Sequence, residues 1–144
     1  NTMHKLADQV ADAINIPLLH IADATAATIL SAGSSKIGLL GTRFTMEEDF
    51  YRGRLEKHHD LEVLIPGADD RRLVHDVIYD ELCLGTIREE SRLAYTRIID
   101  RLVSQGAQGV ILGCTEIPIV IEEGDGVVDA TRALADACVR RLLA

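Results

Sequence analysis

Apolar residues along the chain follow two alternating patterns. Recurrence at every third or fourth position predicts amphipathic helices at residues 3–15, 22–32, 47–57, 68–84, 89–104 and 131–143. Short apolar runs predict buried strands at residues 18–20, 37–40, 61–65, 109–112 and 127–128. Because strands and helices alternate, the pattern predicts an α/β fold in three layers, αβα, with a mainly parallel sheet.

Polar residues stand at three places that follow a predicted strand or precede a predicted helix, namely residues 1–2, 41–45 and 113–116. In open α/β sheets, ligands bind beyond the carboxyl ends of the strands. These three segments are therefore the places where the sequence predicts a functional site.

Cys114 is the strongest candidate for chemistry, because it lies where a buried strand gives way to a turn. Backbone N–H groups at such a point lower the pKa of a thiol from about 8.5 toward neutrality, which makes the thiolate a competent base or nucleophile. A buried structural cysteine is an equally good interpretation of the position alone. Cys83 and Cys138 fall within amphipathic helices, and both are predicted to belong to the core.

Composition excludes several classes of function. The 144 residues carry a net charge of −8, which argues against nucleic acid or an anionic membrane as a partner. The three cysteines form no CxxC pair and predict neither a zinc site nor a disulfide framework, so we expect a reducing cytoplasm. No apolar run reaches membrane-spanning length, and no nucleotide-binding glycine motif is present. The chain begins at Asn1 inside a helical pattern, so we expect a preceding segment.

Several motifs resemble those of one enzyme family. The run Val110–Pro118 resembles the second catalytic motif of the aspartate/glutamate racemases, which are cofactor-independent amino-acid racemases. Residues 1–5 resemble the end of that family's first motif, and residues 39–51 and 78–82 match parts of its second domain. The motifs keep the family's order along the whole chain and are most similar to its bacterial branch of broad aspartate/glutamate racemases.

The resemblance implies a two-base mechanism between two pseudosymmetric α/β halves, without metal or cofactor and in a homodimer. Cys114 would be one acid/base, and the other, a Cys or Thr, would precede Asn1. The residues expected to bind or surround the amino-acid substrate are Asn1, Thr2, Thr42, Thr45, Thr115 and Glu116. Residues 1–35 would end the first half, residues 36–121 would form the second half, and residues 122–144 would return to the first.

The chain also departs from the family pattern. Without most of the first half, we expect this chain alone to be inactive. Cys83 lies near the position where some aspartate racemases carry a lysine, and Leu134 stands where a histidine is common. The alternatives are a related cysteine enzyme, such as a hydantoin racemase, maleate isomerase or arylmalonate decarboxylase, or a non-catalytic fragment.

Overall fold

The computed structural model describes residues 2–122, 124 and 126–144. Among these residues, four parallel strands form one sheet in the order β2-β1-β3-β4. The strands are β1 (Lys36–Leu40), β2 (Glu62–Leu64), β3 (Val110–Leu112) and β4 (Val127–Asp129). In the register of the two central strands, Leu39 lies opposite Ile111 and Leu40 opposite Leu112. The predicted α/β fold with a parallel sheet is confirmed.

Seven α-helices and three 3₁₀ turns connect and cover these strands within the described residues. The helices are α1 (Ala7–Ala13), α2 (Ile21–Ser31), α3 (Arg43–Glu47), α4 (Arg52–His59), α5 (Ala68–Asp80), α6 (Glu89–Ser104) and α7 (Ala130–Leu143). The 3₁₀ turns are Thr2–Leu6, Leu82–Leu84 and Ile117–Ile119. None of these helices is both long and apolar enough to cross a membrane.

The connections between strands divide the helices into two layers. The chain passes from β1 to β2 through α3 and α4, and then runs back across the sheet to β3 through α5 and α6. Right-handed crossovers that run in opposite directions place their helices on opposite faces. Helix α4, with α2 and α7 packed beside it, therefore covers one face, and α5 and α6 cover the other. The central strands are almost inaccessible between these layers.

Two predicted elements are wrong. Residues 18–20 form no strand: the segment leads into α2, and none of the described strands pairs with it. Of the helix predicted over residues 47–57, only residues 52–57 form a continuous helix, within α4; residue 47 ends α3, and the backbone becomes extended at Glu48. Tyr51, between the two, is fully buried, and its hydroxyl lies 3.2 Å from that of Thr25 on α2. The interruption between α3 and α4 allows Tyr51 to be buried. The hydrophobic pattern of the sequence does not show this burial.

His20 begins α2 and is buried, with 4% of its surface exposed. Its Nδ1 accepts a hydrogen bond of 3.1 Å from the backbone N–H of Ala22, so the ring caps the helix. Burial of the ring, together with the nearby charges of Arg54 and His4, lowers the pKa of His20 to about 4. The folded protein therefore resists protonation of this histidine.

This histidine makes stability depend on pH. The unfolded chain takes up the proton near pH 6.5, so stability that is present above this pH is lost as pH falls toward about 4. We expect the free energy of unfolding to lose about 2 kcal/mol through this group between about pH 7 and pH 4.5. His20→Asn keeps a capping acceptor but does not titrate, and should lose less stability over the same interval. Urea unfolding at both pH values measures the difference, with exposed His58→Asn as the control; equal losses in wild type and His20→Asn would contradict the prediction.

Candidate functional site

The candidate site lies beyond the carboxyl ends of β1 and β3. Because these strands are parallel neighbours, the segments that follow them emerge side by side. The N–H of Gly113 donates a hydrogen bond of 2.7 Å to the carbonyl oxygen of Leu40, which joins the two ends. An open cavity of about 230 Å³ lies there. Its lining includes Thr2, Thr42, Thr45, Cys114, Thr115 and Glu116.

The structure brings together every predicted site residue that it describes. Thr2 reaches the cavity from the first 3₁₀ turn, although it lies far from Cys114 along the chain. Asn1, the remaining predicted residue, lies outside the described residues. Residues from three segments that are distant in the sequence thus lie around one cavity. This agrees with the expectation that the polar residues near the strand ends lie close together.

Cys114, Thr115 and Glu116 form a local hydrogen-bonded group. The thiol of Cys114 and the hydroxyl of Thr115 both donate to Oε2 of Glu116, each at 2.8 Å. Burial of the thiol, together with its hydrogen bond to the Glu116 carboxylate, raises the pKa of Cys114 to about 12. The same hydrogen bond from the thiol lowers the pKa of Glu116.

The expected lowering of the Cys114 pKa is therefore wrong for this chain. A carboxylate next to a thiol disfavours the thiolate through like charge, and burial acts in the same direction. The turn after Cys114 continues into the three-residue 3₁₀ turn Ile117–Ile119 rather than a long helix. Cys114 is consequently a neutral thiol, a proton donor already paired with a carboxylate.

Thr42 and Thr45, at the beginning of α3, also line the cavity. Thr42 caps α3: its Oγ1 accepts from the N–H of Thr45 at 3.5 Å, and the two hydroxyl oxygens lie 3.3 Å apart. Both residues are buried. The methyl group of Thr45 lies close to Gly41 and Gly113, so the position of α3 and that of the Cys114 turn are coupled by direct packing.

Three further residues of the cavity were not among the predicted site residues. Ile78 and Tyr79, near the end of α5, and Cys83, in the following 3₁₀ turn, also line it. The prediction that Cys83 belongs to the core is wrong, because the side chain is exposed. Helix α5 ends at Asp80, so the helical periodicity that assigned Cys83 to the core does not extend to it. Cys138 is half-buried on α7 and is not part of the buried core either.

Neutralising Glu116 is expected to change the acidity of Cys114. Glu116→Gln removes the negative charge that opposes the thiolate, so the pKa of Cys114 should fall from about 12 toward its ordinary value of 9.0, while burial keeps it above that value. The pH dependence of Cys114 alkylation, followed by mass spectrometry of the modified peptide, measures the shift. Glu62→Gln, at the amino end of β2, is the matched control. If the pKa of Cys114 were the same in Glu116→Gln as in the wild type, the interaction between this thiol and the Glu116 carboxylate would be refuted.

The described residues contain no group of three or more His, Cys, Asp or Glu side chains arranged to hold a metal ion. Glu116 is the one charged side chain among the described residues that line the cavity. The remaining lining is mostly hydroxyl, thiol and glycine. Such a site can bind a small polar molecule and exchange a proton with it.

The fold and the site define a class: a parallel α/β protein with a thiol–carboxylate pair in a hydroxyl-lined cavity at the strand ends. Comparison with known proteins makes this specific. Residues 1–138 match the model of the Asp/Glu/Hydantoin racemase family. The chain belongs to this family, which confirms the resemblance found in its motifs.

Solved structures have the same fold. A candidate Asp/Glu racemase from Yersinia pestis is 52% identical, with a TM-score of 0.97 over 100% of this chain and 64% of that protein. An aspartate racemase homologue from Pyrococcus horikoshii OT3 is 36% identical, with a TM-score of 0.88 over 98% of this chain and 63% of that protein. The Picrophilus torridus aspartate racemase is 26% identical, with a TM-score of 0.65 over 85% and 52%.

A further relative comes from Pectobacterium carotovorum subsp. carotovorum and is described as an uncharacterized protein in the pnlA 3′ region. It is 30% identical over 122 residues, which are 81% of this chain and 79% of that protein. The chain spans a little less than two thirds of the two solved structures that it matches over 98% or more of its own length.

Proposed function

We propose that the protein to which this chain belongs is an amino-acid racemase. It would interconvert L- and D-aspartate or glutamate by moving the Cα proton, with Cys114 as one of two acid/base groups. The observation that carries the proposal is the thiol of Cys114 held at 2.8 Å from the Glu116 carboxylate, inside a cavity lined by threonine hydroxyls. Membership of the family supports the same activity.

The cavity suits the two charged groups of a free amino acid. The carboxylate of Glu116 attracts an α-ammonium group, and this cation would offset the charge that disfavours the Cys114 thiolate. The hydroxyls of Thr42 and Thr45 are hydrogen-bond donors for a carboxylate, whereas the Thr115 hydroxyl donates to Glu116 and orients the carboxylate that would meet the ammonium group. We assign substrate binding to these residues together with Thr2 and Asn1.

Proton transfer then follows in two steps. A base on the opposite side removes the Cα proton, and the electron pair left on Cα spreads into the substrate carboxylate, where hydrogen-bond donors stabilise it. The neutral thiol of Cys114 donates its proton to the other face of Cα, which inverts the centre and leaves a thiolate. In the reverse direction this thiolate is the base. Both groups must be in place before reaction, because the Cα proton is a very weak acid.

The opposing base would come from a preceding segment of the whole protein. We propose that residues 1–35 end the first half, that residues 36–121 form the second, and that residues 122–144 return to the first. The packing of α7 against α2 joins the last segment to the first, while the pairing of β4 with β3 keeps the last segment attached to the sheet of the second half. The exposed apolar side chains of Met3, Leu6 and Val10 supply a surface for the rest of the first half. Because the opposing base is not in this chain, the chain alone would be inactive. We also propose that the whole protein forms a homodimer.

A substrate panel tests the proposed function. The whole protein is incubated in deuterium oxide with each enantiomer of aspartate and glutamate, and with a 5-substituted hydantoin, while NMR follows the loss of the exchangeable proton. Exchange with aspartate or glutamate supports the proposal. Exchange with the hydantoin alone would assign the protein to another activity of the family, and exchange with none of these compounds would overturn the proposal.

A further inference from the structure

We propose that His75 is a positioning residue for the cavity: it anchors α3, which carries Thr42 and Thr45, and it supports Tyr79 of the cavity wall. Its role in catalysis rests on the proposed function. His75 is half-buried on α5 and does not itself line the cavity.

The first anchor is a hydrogen bond to the start of α3. The backbone N–H of Arg43 donates to Nδ1 of His75 at 3.2 Å, which makes Nδ1 an unprotonated acceptor. The first N–H groups of a helix have no partner inside it, and here Thr42 and His75 supply acceptors. Helix α3 has only five residues, too few to be stable alone, so contacts with the rest of the protein fix its position.

The second anchor is the imidazole ring. It meets the ring of Tyr79, one helical turn further along α5, with 4.8 Å between centroids, and that of Phe44 on α3 at 6.0 Å. Tyr79 lines the cavity together with Cys83. One side chain thus contacts both α3 and another residue that lines the cavity.

If α3 were held less firmly, its packing contacts would change the positions of the residues that line the cavity. Thr45 lies against Gly41 and Gly113, so a displaced helix moves its hydroxyl relative to Cys114. An error of about 1 Å in such a group can cost up to about a hundredfold in rate. Because Thr42 and Thr45 are proposed to bind substrate, the loss should fall mainly on KM.

Two substitutions separate the two anchors. His75→Phe keeps an aromatic ring beside Tyr79 but has no acceptor for Arg43. His75→Asn keeps an acceptor at the position of Nδ1 but has no ring. His58→Asn, at an exposed position on α4, is the matched control. All are made in the whole protein, and hydrogen–deuterium exchange of the amides at residues 43–46 is measured alongside kcat and KM.

We expect His75→Phe to exchange these amides about three to ten times faster and to raise KM about tenfold, with a smaller change in kcat. His75→Asn should retain amide protection and recover most of that KM increase. Unchanged amide protection in His75→Phe would show that the hydrogen bond from Arg43 to His75 does not hold α3 in place. Faster exchange with unchanged kcat and KM would overturn the positioning role. If the wild type racemises nothing, the proposed function fails, and the amide exchange still decides whether His75 holds α3.

Discussion

Cys114→Ser should lower the rate at which the L and D enantiomers are interconverted by a factor of about 10² to 10⁴, the range that a positioned acid/base contributes. A serine hydroxyl keeps nearly the shape of the thiol and can donate to Glu116, but it is a far weaker acid than a thiol. The substitution therefore removes proton transfer at one face of Cα and leaves binding in place. Interconversion of the enantiomers by the whole protein measures the loss. In deuterium oxide, exchange of the Cα proton should fall for the enantiomer that Cys114 deprotonates and persist for the other.

Cys138→Ser is the matched control for this prediction, because Cys138 is a half-buried thiol on α7 that does not line the described cavity. It should keep wild-type exchange rates. The thermal unfolding of Cys114→Ser should remain close to that of the wild type, since the change removes no large apolar group. A Cys114→Ser protein that interconverts the enantiomers at the wild-type rate would show that this thiol is not an acid/base.

Gly113→Ala should destabilise the protein by about 2–3 kcal/mol and distort the site. A Cβ at Gly113 would lie 2.7 Å from the carbonyl oxygen of Leu40 and 3.3 Å from the Thr45 methyl group. The carbonyl belongs to β1 and cannot rotate away, so the strand end must shift. The shift would separate Thr45 from the neighbouring Cys114, and activity should fall together with stability.

Gly67→Ala is the control for a glycine-to-alanine change in the same chain. Gly67 precedes α5, has a negative φ of −59°, and a Cβ there would meet no atom within 4 Å. Its effect on the free energy of unfolding should stay within about 0.5 kcal/mol. Chemical denaturation gives the free energy of unfolding of both variants. Equal losses in the two would show that the close contact of a Cβ at Gly113 does not cause the destabilisation.

Where hydrophobic periodicity was long, the sequence predicted the fold well. Helix α6 has the predicted bounds, Glu89–Ser104, because its buried residues follow the helical spacing of three to four positions and the helix begins with two acidic residues that favour a helix start. The central strands were predicted from their continuous apolar runs, which burial on both faces requires. The helix predicted over residues 47–57 was wrong because tertiary packing of Tyr51 outweighs local helical preference.

The site was predicted in its location but not in its electrostatics. Parallel strands bring their carboxyl ends together, so topology alone places Thr42 near Cys114. The sequence does not show that Glu116 turns its carboxylate back toward the thiol two residues earlier. That orientation depends on the path of the turn. Burial of the thiol, together with the carboxylate so placed, reverses the expected direction of the Cys114 pKa shift. The exposure of Cys83 was missed for a similar reason, since the bounds of α5 were predicted four residues too long.

Incorporation of solvent deuterium at Cα of aspartate and glutamate is the most direct test of the proposed chemistry. The measurement uses both enantiomers of each amino acid, with the whole protein and with residues 1–144 alone. The two-base account predicts that the whole protein incorporates deuterium at Cα of aspartate or glutamate and interconverts the enantiomers, while residues 1–144 alone do neither. Failure of the whole protein to exchange the proton of any of the four substrates would contradict it.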